Sequence, residues 1–177
     1  MKKSHLILGI LFSFVLLNNR SVWAQTAEEY VHFGNVSGKE SNYKDAVLNY
    51  TKALKLDPDY VNAYYNRGYA YIELRKYKLA LSDLDKAIDI NPKYAPAYHV
   101  RGILYFRRKK YDLAVADYSK AIELDPDNIK YLISRMSAYF KLGDKDKVWK
   151  DVIKIQQLGG TVNPTIINVL KAKKYRE

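Results

Sequence analysis

The chain repeats itself with a period of 34. Residues 61–94 and 95–128 coincide at 14 of 34 places. The coincidences keep one phase: Tyr64 with Tyr98, Arg67 with Arg101, Gly68 with Gly102, Tyr71 with Tyr105, Tyr77 with Tyr111, Ala80 with Ala114, Ala87 with Ala121, Pro92 with Pro126. One step back finds Tyr30, Gly34, Tyr43, Ala46, Ala53 and Pro58; one step forward finds Arg135, Tyr139 and Gly143, but Met136 for the glycine and Val148 for the alanine. Four units follow, 27–60, 61–94, 95–128 and 129–162. Such a period means a supersecondary unit stacked on its own copies, each burying a face against its neighbours. It also accounts for many of the 17 tyrosines.

Each unit reads as two helices. Tyr77, Ala80, Leu81, Leu84, Ala87 and Ile88 advance in steps of 3, 1, 3, 3 and 1, the period of an amphipathic helix. Ala63, Tyr64, Arg67, Gly68 and Tyr71 step the same way. Asp57-Pro58, Asn91-Pro92 and Asp125-Pro126 end each second helix, because proline biases the preceding residue away from helical backbone. Gly68 and Gly102 are expected to face Ala80 and Ala114, so that the two axes approach closely. Asn163-Pro164 reads as a cap followed by proline in the first turn. Ile166, Ile167 and Leu170 then form the apolar face of a last helix that closes the stack.

The first 24 residues precede this array. Lys2 and Lys3 lead into a 12-residue apolar run, Leu6 to Leu17, and then Val22-Trp23-Ala24. This is the layout of a cleaved secretory signal, cut after Ala24. The run is short of the roughly 20 apolar residues that cross a bilayer, and removal of the signal leaves no transmembrane stretch. The mature chain is therefore expected in the periplasm or outside the cell. Cysteine is absent, which excludes disulfide scaffolds, lipoprotein anchoring, zinc ribbons and thiol chemistry. Net charge is +11. Residues 25–94 hold 10 basic and 10 acidic groups, residues 95–177 hold 17 and 9, so the mature excess lies in the C-terminal half. The runs Arg107 to Lys110, Lys145 to Lys154 and Lys171 to Arg176 attract anions: an acidic protein surface, an anionic glycolipid or nucleic acid.

On the repeated tyrosine, glycine, alanine and proline places, the chain resembles the tetratricopeptide repeat family over about 27–162. Tyr65-Asn66-Arg67-Gly68 resembles a bacterial-type variant. The first unit departs with Ser37 for tyrosine and with Gly38, expected to interrupt its helix at about 1 kcal/mol. The resemblance implies an all-α solenoid of about four helix–turn–helix units plus a C-terminal capping helix. It also implies a concave groove lined by the first helices. Carried over place by place, that groove shows Val31, Asn35 and Lys39, then Asn62, Tyr65, Tyr69, Ile72 and Glu73. It continues with His99, Ile103, Phe106 and Arg107, then Lys130, Ile133, Ser137, Phe140 and Lys141. Tyr65 and Tyr69 lie one turn apart on one face, and Arg107 and Lys141 supply positive ends. Family members that serve heat-shock chaperones grip a C-terminal carboxylate with Lys, Asn, Asn, Lys and Arg. The matching places here hold Val31, Asn35, Asn66, Pro96 and Val100, so only the two asparagines survive.

Catalytic constellations are missing from the pattern. His32 and His99 stand two repeats apart, roughly 20 Å at 8–10 Å per helix layer, too far to share a metal. No phosphate loop, nucleophile elbow or HExxH occurs. Asp83, Asp85 and Asp89 read as a solvated helix face beside Lys78 and Lys86. The expected function is a non-enzymatic adaptor that binds a protein or peptide partner through Asn35, Asn62, Tyr65, Tyr69, His99, Ile103, Phe106, Arg107 and Lys141, with no cofactor, metal or small-molecule substrate. The alternative is polyanion binding through the basic C-terminal half.

Overall fold

The computed structural model describes residues 26–174; residues 1–25, where the signal is expected, and the last three residues lie outside them. Eight helices form four antiparallel pairs. These are α1 (Ala27–Lys39) and α2 (Tyr43–Leu56), α3 (Val61–Glu73) and α4 (Tyr77–Ile90), α5 (Ala95–Arg107) and α6 (Tyr111–Leu124), α7 (Ile129–Leu142) and α8 (Lys145–Gln157). A ninth, α9 (Pro164–Lys174), follows. The first helices start at 27, 61, 95 and 129, and the second at 43, 77, 111 and 145, so the sequence period is the structural period. α1, α3, α5 and α7 also touch one another in succession and form one inner wall.

Local chemistry sets the ends. Asp57, Asn91 and Asp125 stand at φ −132°, −133° and −144° before their prolines, the extended backbone that proline demands of its predecessor. Between the helices of each pair the chain turns through left-handed backbone, at Ser41, Arg75, Lys109 and Gly143. Only the fourth of these is a glycine, the residue that adopts this conformation without steric cost. α1 runs unbroken through Gly38 to Lys39. The expected interruption is absent, because α1 gains its order from packing on α2 and ends only at the Ser41 turn. The N–H of Thr165 donates to Asn163 Oδ1 at 2.9 Å. Leu170 and Ile166 join the core of the last pair with Met136, Val148, Val152 and Ile155, so α9 covers the end of the stack.

The glycine phase works differently from the expectation. The side chain opposite each glycine is the residue 16 places on. A Cβ on Gly68 would lie 2.9 Å from Leu84 Cγ, with the Ala80 carbonyl oxygen behind at 3.4 Å; on Gly102 it would lie 2.5 Å from the Tyr118 ring. The glycines admit large side chains from the second helix, and the fully buried alanines Ala46, Ala80 and Ala114 bring the axes together from their own side.

A polar ladder runs beside this core. Arg67 binds Asp83 bidentately at 2.7 and 2.8 Å and reaches back to Thr51 Oγ1 at 3.0 Å. Arg101 does the same to Asp117, at 2.9 and 2.8 Å, and to Asp85 at 2.6 Å. Arg135 repeats it on Asp151, at 3.0 and 2.6 Å, and on Ser119 at 3.1 Å. Each arginine thus ties its own pair together and pins it to the preceding one. The expectation of a solvated acidic face fails here: Asp83 is buried and Asp85 is an ion-pair partner, and of the three only Asp89 is exposed. Burial is tolerated because the planar guanidinium satisfies both carboxylate oxygens at once.

Candidate functional site

Among the described residues, pockets open on the inner wall at two places. The first lies between α1 and α3, about 400 Å³ in volume, lined among others by His32, Asn35, Lys39, Tyr43, Tyr50, Asn66 and Tyr69. Its floor is the Tyr50 ring, admitted by Gly34. The Tyr50 hydroxyl donates to Asn35 Oδ1 at 2.8 Å, and Asn66 Nδ2 donates to the same oxygen at 2.9 Å. Burial pushes the Tyr50 phenol up to about 12, so it stays a neutral donor. Tyr69 forms the open side, 39% exposed.

The second pocket lies between α5 and α7, about 330 Å³, lined by Ile103, Phe106, Arg107, Tyr118, Ile133, Ser134 and Ser137. Its floor is Tyr118, which faces Gly102. Burial raises the phenol of Tyr118 as it does that of Tyr50. Phe106 stands edge-on to Tyr111 at 5.3 Å.

Between the pockets the wall is filled from within the protein. Tyr65 is half-buried against Tyr94, edge-on at 5.5 Å, and the Tyr94 hydroxyl donates to Asn62 Oδ1 at 2.7 Å. His99 lies 4.7 Å from the Tyr131 ring and 5.6 Å from Tyr118, and shares a 2.9 Å hydrogen bond with Ser134. Burial, then the nearby Lys130 charge, holds its imidazole down at about 4, so it is neutral at pH 7. Arg107 and Glu73 join α5 to α3 through a 2.6 Å ion pair.

The structure therefore divides the expected strip. Asn35 and Tyr69 line the first pocket; Ile103, Phe106 and Arg107 line the second. Between them, Asn62 and Tyr65 are engaged by Tyr94 at the end of their own repeat, and His99 by the next repeat. Lys141 is exposed beyond the second pocket. Arg107 is not a free positive end, because Glu73 already holds it. Val31 and Ile72, expected to face the groove, are 7% and 0% exposed: their side chains turn into the core. The residues missed are Tyr50 and Tyr118, which reach the wall from second helices. Their signal was available, since each stands 16 residues after a repeat glycine. Among the described residues no three His, Asp or Glu side chains gather as a metal site requires, and no helix is long and apolar enough to cross a membrane.

The tetratricopeptide repeat family model matches residues 61–94 and 95–128, and a TPR repeat model matches 34–74. No curated protein matches the chain. Among solved structures, the first TPR of Spaghetti (RPAP3), bound to the HSP90 peptide SRMEEVD, is 32% identical over 67% of this chain and 94% of that one, with a TM-score of 0.64. The first TPR domain of human RPAP3 is 31% identical over 68% and 95%, TM-score 0.65. MamA is 26% identical over 84% of each chain, TM-score 0.70. With its repeat period, its helix pairs and these matches in agreement, the chain belongs to the tetratricopeptide repeat family.

Proposed function

We propose that the protein is an interaction adaptor that holds a segment of a partner protein along its inner wall. One observation carries the reading. The wall leaves two pockets open, and each presents an apolar or aromatic side chain to solvent, Tyr69 at 39% and Ile133 at 37% exposure. Packing of the repeats does not use these surfaces, and pockets of this kind accept the apolar anchors of a peptide. The Spaghetti domain, solved with a bound HSP90 peptide, supports a peptide as the kind of ligand. The chaperone-type clamp is not the mode here. Val31 and Val100 are buried at two of the cationic places, and Asn35 and Asn66 are hydrogen-bonded to each other. Lys39 at the first pocket favours an acidic residue beside the anchor there, whereas Arg107 at the second is already neutralised by Glu73. Scaffolding by shape is the role typical of this family, and no catalytic step is assigned.

Export belongs to the same reading: the leader at residues 1–24 directs the adaptor to the periplasm or beyond the cell. Intact mass of the exported protein then begins at Gln25; full-length chain in the membrane fraction would contradict it. For the groove, partners captured from envelope extract are identified and titrated against the Tyr69→Ala variant. About a tenfold or greater loss of affinity is expected, as for an aromatic anchor. Unchanged affinity of that variant, with binding that collapses as salt is raised, would replace the groove by polyanion binding.

A further inference from the structure

We propose that the fourth repeat carries a second binding site, a cleft between α7 and α8 that takes a phosphate-type oxyanion. The cleft holds about 240 Å³ and is lined by Arg135, Tyr139, Lys147, Lys150 and Asp151. A water molecule's share of liquid volume is about 30 Å³, so a tetrahedral anion and part of its hydration fit. None of these residues lines either groove pocket, and the proposal does not depend on the groove.

The comparison with the other repeats makes this cleft distinctive. Where Lys147 stands, repeats two and three have Leu79 and Leu113; where Lys150 stands, they have Ser82 and Ala116. The ladder beneath differs from the third repeat's and has the same balance as the second's, where Arg67 holds Asp83 and the neutral Thr51 hydroxyl. Arg101 is held by two carboxylates, Asp117 and Asp85. Arg135 is held by one, Asp151, and its third contact is the neutral hydroxyl of Ser119. The third rung thus carries an excess of negative charge. The fourth is balanced before its two lysines are added.

The cations converge. Arg135 Cζ lies 5.7 Å and Lys147 Nζ 5.3 Å from the centre of the Tyr139 ring. Lys150 follows Lys147 by three residues, the spacing that puts side chains on one helix face. Lys147 is paired with Asp144 at 2.6 Å, but this pair is exposed, 56% and 32%, and exposed pairs are weak enough to exchange for an incoming anion. Lys150 has no carboxylate partner among the described residues. Two compact ammonium groups beside a fixed arginine offer charge from several directions, which suits a tetrahedral anion.

The test is a titration of the purified chain with inorganic phosphate, followed by amide and side-chain NMR shifts against chloride at matched ionic strength. Saturable shifts are expected at Tyr139, Lys147 and Lys150. The double substitution Lys147→Leu and Lys150→Ala installs what the third repeat carries, so the fold is kept; its half-saturation concentration should rise at least tenfold. Lys145→Ala removes a charge from the same helix outside the cleft and should leave the titration unchanged. A second arm uses vesicles of phosphatidylcholine with and without phosphatidylglycerol. Vesicle binding that needs both phosphatidylglycerol and the two lysines assigns a lipid headgroup; phosphate shifts without such binding assign a soluble phosphate. Absence of saturable shifts, or shifts that the double variant retains, overturns the proposal.

Discussion

Gly102 faces the ring of Tyr118 in the third repeat, whereas in the fourth Met136 takes the glycine's place and Val152 the tyrosine's. The conserved quantity is the volume shared across the helix pair, with its division between the two helices free to reverse. The turns differ in a complementary way. Lys109 is forced to φ 59° in the third repeat, and Gly143 takes φ 81° in the fourth. The ladder is common to both, Arg101 on Asp117 and Arg135 on Asp151. A repeat can therefore exchange the residues that fill its core and still keep the charged tie between its own two helices.

The ladder is the point at which the two repeats should behave alike, and it should give the largest effects. Arg101→Ala leaves Asp117, whose side chain is 9% exposed, without its counter-charge; Arg135→Ala does the same to Asp151, at 3%. Each should cost about 3–5 kcal/mol in chemical denaturation, the scale for orphaning a buried charge. Losses below about 1 kcal/mol at either site would remove the ladder from the account of stability.

The core is the point at which they should diverge. Gly102→Leu drives side-chain atoms into Tyr118 and should lose about 2 kcal/mol or more, while Met136→Leu keeps volume and should lose under about 1.5 kcal/mol. Equal losses would mean that glycine and methionine do not occupy equivalent places.

His99 joins the two repeats, and its protonation should loosen that joint. Its folded value, about 4, lies below the ordinary 6.5. The unfolded chain therefore takes up the proton first. The stability contributed by neutral His99 is complete above about pH 6.5 and is lost as the pH falls towards 4. After allowance for solvent at this half-buried site, the loss should be roughly 1–2 kcal/mol. Melting temperatures of His99→Gln should be flatter than wild type across that window; an identical slope would exclude His99 as the group responsible.

The turns should give the smallest effects, of opposite sign. Lys109→Gly relieves left-handed strain in the third repeat and should gain up to about 1 kcal/mol, whereas Gly143→Lys introduces it in the fourth and should lose a similar amount. Calorimetry on the two variants compares them directly.

Much of this molecule was determined along the chain. Helix starts at 61, 95 and 129, extended residues before Pro58, Pro92 and Pro126, and the Asn163-Pro164 start of α9 all follow from periodicity and backbone sterics, which act within a few residues. The tertiary structure decided what depends on partners farther away. Asp83 looked solvated from its helix phase, yet Arg67, 16 residues earlier, lies over it. Arg107 looked free, yet Glu73, 34 residues earlier, holds it. Tyr65 and Tyr69 share one helix face, but Tyr94 covers the first and leaves the second open. Helical phase specifies the direction in which a side chain points. Whether another side chain waits there is settled only when the repeats stack, because burial and ion pairing are properties of two surfaces in contact.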